Sequence, residues 1–285
     1  MGSSERSEVK FSIVTPSFRQ LAWLKRCIRS IEDQGGVEVE HIVQDAGSGP
    51  ELEQWVGANS RAQLFVERDK GMYDAVNRGF ARSSGDLCGY LNCDEQYLPG
   101  TLKRVERAFS EHPEADMVVG DCLVVDARQE LLAYRKVTPL RRSMILTDHL
   151  YANSCTLFFR RRLLENGMKF DSELKDIGDQ EWVCGALERG YRVALVHEYL
   201  STFTWTGENL STRPNAAAEM RAARLRLPIG LKLAAPFLRQ WRHLERLFLG
   251  GYTSGPIEYS LYRDADDESR TPIRCERPSF RYPGS

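Results

Sequence analysis

The sequence predicts an α/β protein with a mostly parallel sheet flanked by helices, followed by a C-terminal helical extension. Three observations carry this prediction. Short apolar runs alternate with helical periodicities through the first 112 residues, each run ends in a polar or glycine-rich turn, and a basic, leucine-rich stretch occupies residues 219–249. Phe11–Thr15 is apolar and stops at Pro16-Ser17, which suits a buried strand. Leu21, Leu24, Ile28 and Ile31 then recur at helical spacing until Gly35-Gly36. Glu40–Asp45 reads as a second strand, with a helix over Pro50–Val56. Gln63–Glu67 reads as a third, with a helix over Asp74–Arg82. Asp86–Leu91 is a fourth, ending at Asn92-Cys93-Asp94-Glu95, and Leu98–His112 is helical.

The second half is less regular. Asp116–Gly120, Cys122–Val125 and Thr156–Phe159 read as short strands, Asp179–Arg189 as a helix and Arg192–His197 as a final strand. Residues 250–285 form a polar, Pro-containing tail expected to be loosely ordered.

Composition narrows the function. Lys and Arg number 39 against 40 Asp and Glu, a net charge of −1, which argues against a general nucleic-acid binder. No run of about 18 apolar residues offers a membrane-spanning helix. MGSSERSEVK has no apolar core for a signal peptide, and the seven cysteines are scattered without CxxC spacing, so a cytoplasmic protein with reduced thiols is expected.

Strand–helix alternation implies crossover connections, and in such sheets ligands sit beyond the carboxyl ends of the strands. Those ends carry Thr15–Arg19, Asp45, Glu67–Gly71 and Asn92–Glu95, so three strand ends deliver carboxylates to one edge. The usual phosphate-cradling glycines are missing. The turn after the first strand is Thr-Pro-Ser-Phe-Arg-Gln rather than GxGxxG, and neither a P-loop nor a GxSxG elbow is present. A metal ion would therefore carry the charge of a bound diphosphate, and Mg²⁺ or Mn²⁺ needs only one or two protein carboxylates for this.

Five segments in order, Ser12–Phe18, Val43–Ser48, Glu67–Asn77, Leu91–Pro99 and Gly178–Trp182, give the chain a specific resemblance. It resembles the inverting family 2 glycosyltransferases of the GT-A (Rossmann-like) fold over Val9 to Ser211, with the DKGMYDAVN run at 69–77 the most distinctive part. The resemblance implies a GT-A domain at 9–211, divided into a nucleotide-binding half (9–112) and an acceptor half (113–211). It also implies an enzyme that moves a sugar from a nucleotide donor, such as a UDP-sugar, to a glycan or lipid-linked acceptor.

By position, Thr15, Pro16 and Ser17 would line the nucleotide site, with Phe18 where the family often has tyrosine. Asp45 would read the base edge, and Asp69 and Lys70, followed by Gly71, would contact the diphosphate and ribose side. Asp94, with Glu95 beside it, takes the place of the metal-binding acid for Mn²⁺ or Mg²⁺, and Asp179 that of the catalytic base. Two departures stand out: Asp94-Glu95 replaces the common Asp-Asp, with Asn92 in place of an acid, and Ala46–Pro50 lacks the acid usual in that turn.

Asn153 and Trp182 are candidates for the sugar or acceptor pocket, against a polar turn for the first and core packing for the second. Trp205 is weighed in the same way as Trp182. His149 and His197 stand alone, without a second nitrogen ligand at metal spacing, and Asn209–Ser211 is a glycosylation sequon. The 219–249 stretch interleaves cations with Trp241 and Leu244, which suits an anionic membrane surface, packing on the catalytic domain, or pairing in a homo-oligomer. Pro228 and Pro236 are expected to break it. Two rivals remain: a catalytically degenerate relative acting as a binding or scaffold subunit, and a sugar-nucleotide nucleotidyltransferase. The second would need a glycine- and arginine-rich first loop that Thr15–Arg19 does not supply.

Overall fold

The computed structural model describes residues 9–207 and 214–282, so the sequon at 209–211 and the end of the 9–211 segment lie outside the described residues. The first half follows the sequence pattern closely. Its strands are β1 (Lys10–Ser17), β2 (Glu38–Asp45), β3 (Gln63–Val66) and β4 (Leu87–Tyr90), alternating with helices α1 (Leu21–Glu32), α2 (Pro50–Asn59) and α3 (Met72–Arg82). The second half contributes β5 (Gln96–Tyr97), α4 (Thr101–Glu111), β6 (Met117–Val125), β7 (Leu131–Arg135) and α5 (Arg142–Thr147). After these come β8 (Leu157–Arg160), α6 (Arg162–Glu165), α7 (Gly178–Glu188) and β9 (Val193–Thr204). The chain continues through α8 (Pro214–Leu225), α9 (Ile229–Phe248), β10 (Ile257–Leu261) and β11 (Thr271–Cys275).

The main sheet runs β3-β2-β1-β4-β8-β6-β9-β5, with β7 added to β6. β1 pairs in parallel with both β2 and β4, and β6 pairs in parallel with β9. β8 is antiparallel to both its neighbours, so β1–β4, β6 and β9 all run one way. The expected mostly parallel sheet is therefore present. Its strand order reverses between β1 and β4, the switch point where an open α/β sheet forms its ligand crevice. Helices cover both faces: Val14, Ile42, Val76 and Phe80 pack with Trp182 on one side, and Phe11, Ile13, Leu102 and Phe158 on the other.

Four sequence expectations change. The two strands expected around Gly120-Asp121 are one strand, β6, with a register shift against β9 at that dipeptide. Gly120 is needed there because a Cβ would sit 2.3 Å from Leu200. β9 runs on past His197-Glu198 to Thr204, the exposed dipeptide that mimicked a strand end being held outward by Arg104 and Arg107 on Glu198.

The tail is not loose. β10 and β11 form an antiparallel hairpin, and Ile257, Tyr259 and Leu261 alternate inward onto Leu98, Leu123, Val125 and Tyr134. The connecting loop is bolted to α1: Arg270 donates to both Asp33 oxygens at 2.6 and 2.8 Å, and Tyr262 Oη donates to Asp33 at 3.0 Å. In the basic stretch, Pro228 separates α8 from α9, as expected, but Pro236 is accommodated inside α9. Among the described residues no helix is long and apolar enough to cross a membrane.

Candidate active site

The sheet brings the predicted acids to one edge, but with different tasks. Asp45, buried at the end of β2, accepts from Gly47 N (2.9 Å), Ser48 N (2.6 Å) and Ser48 Oγ (2.6 Å). Ser48 Oγ in turn accepts from Arg19 N at 2.6 Å, so the turns after β1 and β2 are fastened together. Phe18 rises from this junction half-exposed, with the Arg19 guanidinium 4.9 Å from its ring centroid. Thr15 faces the other way: its Oγ1 is buried 2.9 Å from His41 Nε2, and burial pushes that imidazole down to about 3, keeping it neutral. Pro16 and Ser17 are buried as well. The side chains of Thr15–Ser17 thus support the edge, and Phe18 and Arg19 meet solvent.

The 67–77 segment is a knot of charges. Arg82 pairs with Glu67 at 2.6 Å and Arg78 with Asp74 at 2.9 Å. Asn77 exchanges two hydrogen bonds with the Phe170 backbone at 2.8 and 2.9 Å, tying the segment to the acceptor half. Asp69 accepts from Gly71 N at 2.9 Å, and burial, with Asp74 and Asp45 nearby, raises its carboxyl pKa. Lys70 is exposed, its ammonium 3.6 Å from Glu173.

At the end of β4 the two carboxylates separate. Asp94 is partly exposed, and burial pushes it up to about 6, against the nearby Arg26 charge. Glu95 is only 1% exposed; its Oε2 accepts from Asn92 N at 2.9 Å, while Oε1 is buried without a partner. Burial, and Asp94 beside it, drive its pKa well up. Glu95 therefore stands behind Asp94 rather than beside it in the open.

The pair suits a divalent cation by its chemistry. Two close carboxylates are raised by burial, one of them with an orphaned oxygen, and a counter-charge would relieve both. Mg²⁺ or Mn²⁺ completes its shell with phosphate oxygens and water when one or two carboxylates are supplied. No cluster of three or more His, Cys, Asp or Glu side chains forms a metal cage among the described residues.

Asp179 opens α7. Gly178 before it has no Cβ, which would lie 2.6 Å from the Tyr73 ring, and this close approach lets Tyr73 Oη donate to Asp179 Oδ1 at 3.3 Å. Gln180 N donates to the same oxygen at 2.8 Å. Burial nevertheless raises the Asp179 pKa. Tyr90 lies buried beneath the site; burial first, then the charges of Asp179 and, more weakly, Glu95 push its hydroxyl pKa up, so both acids lie within electrostatic reach of one side chain. Tyr73 received no role from the sequence, although it lies in the most distinctive run.

Asp179 stands in the wall of a cavity of about 670 Å³, with Asn153, Tyr151, Trp205 and Tyr282 among its other walls. Asn153 is thus on the cavity wall. Trp182 is not: at 3% exposure it stacks on Phe170 (5.2 Å) and tilts against Phe159 (4.8 Å), because the inward face of α7 carries it into the core. The tryptophan on the cavity is Trp205. His149 reaches the cavity paired with Asp148 at 3.2 Å, and His197 is exposed on β9. Arg135, Arg242 and Arg246 also line the cavity, drawn from elements far apart in the chain, so no local motif announces them.

Comparison with known proteins bears on the family and the fold. The model of "Glycosyl transferase family 2" matches residues 12–168, more than half of the chain. A PGL/p-HBAD biosynthesis glycosyltransferase of Mycobacterium tuberculosis is 33% identical over 120 residues, 40% of this chain and 47% of that one, so the chain matches about half the length of this curated relative. An uncharacterized glycosyltransferase of the same organism is 35% identical over 215 residues, 72% of this chain and 79% of that one. Among solved structures, residues 1–349 of S. aureus TarS, in complex with UDP-GlcNAc, share the fold with a TM-score of 0.57 at 19% identity, over 84% of this chain and 74% of that one. The α/β architecture expected of a GT-A domain is therefore present. With the family model matching more than half of the chain and a 35% identical relative covering 72% of it, the chain belongs to glycosyl transferase family 2.

Proposed function

We propose that the protein is a metal-dependent, inverting glycosyltransferase that moves a hexosyl or N-acetylhexosaminyl group from a nucleotide-sugar, a UDP-sugar by preference, to a glycan or lipid-linked acceptor in polysaccharide or cell-envelope biosynthesis. The observation that carries this reading is Asp179: a carboxylate with a raised pKa, oriented by Tyr73 from the DKGMYDAVN run, in the wall of a cavity of substrate size. The UDP-GlcNAc complex of TarS supports the donor class.

In this mechanism the donor lies along the ends of β1, β2 and β4, with Phe18 and Arg19 at the nucleotide edge. Asp94, backed by Glu95, would hold Mn²⁺ or Mg²⁺, which supplies charge stabilisation for the departing diphosphate. Asp179 takes the proton of the acceptor hydroxyl as its oxygen attacks the anomeric carbon from the face opposite the leaving group, which inverts the configuration. A raised pKa makes Asp179 a better proton acceptor once ionised. Because it must be ionised to act, the rate rises with pH through its raised pKa.

The assay is transfer or hydrolysis of UDP-sugars with Mn²⁺ or Mg²⁺ added. Asp94→Ala is expected to lower turnover by roughly 100-fold or more. Full activity in that variant would remove Asp94 from the mechanism, and donor binding without turnover over a broad acceptor panel would favour the scaffold reading.

The same proposal places the enzyme at the cytoplasmic face of a membrane. Ile229, Leu233, Phe237, Trp241, Leu244 and Phe248 form one stripe along α9, all exposed, Phe248 at 84%. Residues 219–249 hold seven Lys and Arg against two Glu, and with Arg242 and Arg246 turned into the cavity, five cations remain outside it. Both glutamates turn inward, Glu219 onto the backbone N–H groups of Lys175–Ile177 and Glu245 onto Arg141. An apolar stripe flanked by an excess of cations suits anionic lipid, each cation near the surface adding about 1 kcal/mol. Co-sedimentation should show binding to phosphatidylglycerol vesicles, little binding to phosphatidylcholine, and loss in a Phe237→Glu/Trp241→Glu double variant. A stable dimer with no vesicle binding would assign the stripe to self-association instead.

A further inference from the structure

The cavity beside Asp179 carries more positive charge than proton transfer requires. Arg135 comes from β7, and Arg242 and Arg246 come from the inner side of α9. Each guanidinium lies over a tyrosine of the same cavity: Arg135 over Tyr282 at 4.4 Å, Arg242 over Tyr151 at 5.2 Å and Arg246 over Tyr252 at 4.6 Å. The three cations are crowded enough that burial, and then neighbouring guanidiniums, hold the pKa values of Arg135 and Arg246 below the ordinary value.

Their negative partners are few. Asp148 pairs with Arg242, and Glu245 Oε1 with Arg141. Arg246 Nε and Nη2 and Arg242 Nε are buried without hydrogen-bond partners. A buried guanidinium N–H with nothing to donate to is costly, and the fork geometry of arginine matches the oxygens of a phosphate.

We propose that Arg135, Arg242 and Arg246 form an anion subsite for the acceptor, taking a phosphate or diphosphate group that the acceptor carries and so presenting its hydroxyl to Asp179. This inference rests on the reading of Asp179 as the catalytic base. Two observations set the ligand class. Asp148 answers Arg242, and the cavity's own acids are engaged elsewhere, Asp176 by Asn215 and Asp179 by Tyr73 and Gln180. Arg135 and Arg246 so have no ion pair among the described residues, and two guanidiniums side by side suit a multiply charged phosphate or diphosphate better than a single carboxylate. The arginines also belong to β7 and α9, across the molecule's second half, whereas the donor edge is built from the ends of β1, β2 and β4.

The test is calorimetry on the full chain with two ligands: sodium pyrophosphate without divalent cation, and UDP with Mn²⁺. Wild type should bind both. Arg246→Gln and, independently, Arg135→Gln should each weaken pyrophosphate binding roughly tenfold or more, with unchanged melting temperature and unchanged UDP affinity. Binding to phosphatidylglycerol vesicles should also be unchanged, which separates an acceptor's phosphate from a lipid headgroup. Wild type that binds UDP but not pyrophosphate, or variants that bind pyrophosphate as wild type does, overturn the subsite and leave the transferase reading standing. A parallel fall in UDP affinity assigns the arginines to the donor, and a parallel fall in vesicle binding assigns them to the membrane surface; either overturns the proposal. Failure of wild type to bind UDP removes the transferase reading, and the subsite with it.

Discussion

The two sides of the site are built in opposite ways. The donor edge is made of strand ends that follow one another in the chain, and its charged groups are mostly carboxylates held by neighbouring backbone, as Asp45 is by Gly47 and Ser48. The cavity beside Asp179 is assembled from β7, the start of α7, α9 and residues 280–282, and three of its charged groups are arginines laid on tyrosines. Local turns can place a carboxylate within a few residues of a strand. Laying Arg135 on Tyr282 and Arg242 on Tyr151 needs partners from a distant part of the chain. The first side is therefore a property of short motifs and the second a property of the finished fold.

Substitutions on either side test this contrast. The largest effect is expected at the point where the sides meet. Asp179→Asn should lower turnover roughly 10²–10⁴-fold while leaving UDP binding intact, because the change removes the base and none of the donor edge. Equal losses of turnover and of UDP affinity would mean that the two sides are not separable.

A stability effect comes next. Arg270→Ala removes two charge-assisted hydrogen bonds to Asp33 and those it makes to Tyr97 O and Ser260 O, and should cost about 2 kcal/mol in urea unfolding. The hairpin loop would loosen from α1 first, which hydrogen exchange at 262–270 would register. Unchanged stability would show that the tail is held by its apolar face alone.

The smallest effect is expected at Tyr73→Phe. The Tyr73 hydroxyl donates to Asp179 and so favours its ionised form; without it the Asp179 pKa should rise further. The acid limb of the pH–rate profile should then move to higher pH, with a loss of only a few-fold at neutral pH. A downward move would contradict the direction of this hydrogen bond.

Much of the first side was legible from residues alone. Apolar runs ending in Pro16-Ser17, Asp45 and Asn92–Glu95 located β1, β2 and β4 and their common edge, because strand period and turn chemistry are local. Within that edge the orientation of side chains was not legible. Thr15 turns inward to His41, and Glu95 turns back to Asn92, and neither choice leaves a trace in spacing. Trp182 was misplaced because α7 is apolar on more than one side, so position on the helix did not reveal which face is buried. The hairpin of β10 and β11 was read as a loose tail since its apolar residues are few and its strongest ties, from Arg270 and Tyr262, reach back more than 200 residues to Asp33. Gly120-Asp121 read as a strand break because a register shift and a turn look alike in sequence.

In the proposed mechanism one chain joins a donor edge to a base on the acceptor side. Single-turnover transfer from a UDP-sugar with Mn²⁺, followed by NMR of the anomeric centre, puts this to the test, with wild type and Asp179→Asn run side by side. Wild type should give an inverted linkage, and Asp179→Asn no measurable burst at undiminished UDP affinity. A retained configuration, or an equal burst from the variant, would contradict that mechanism.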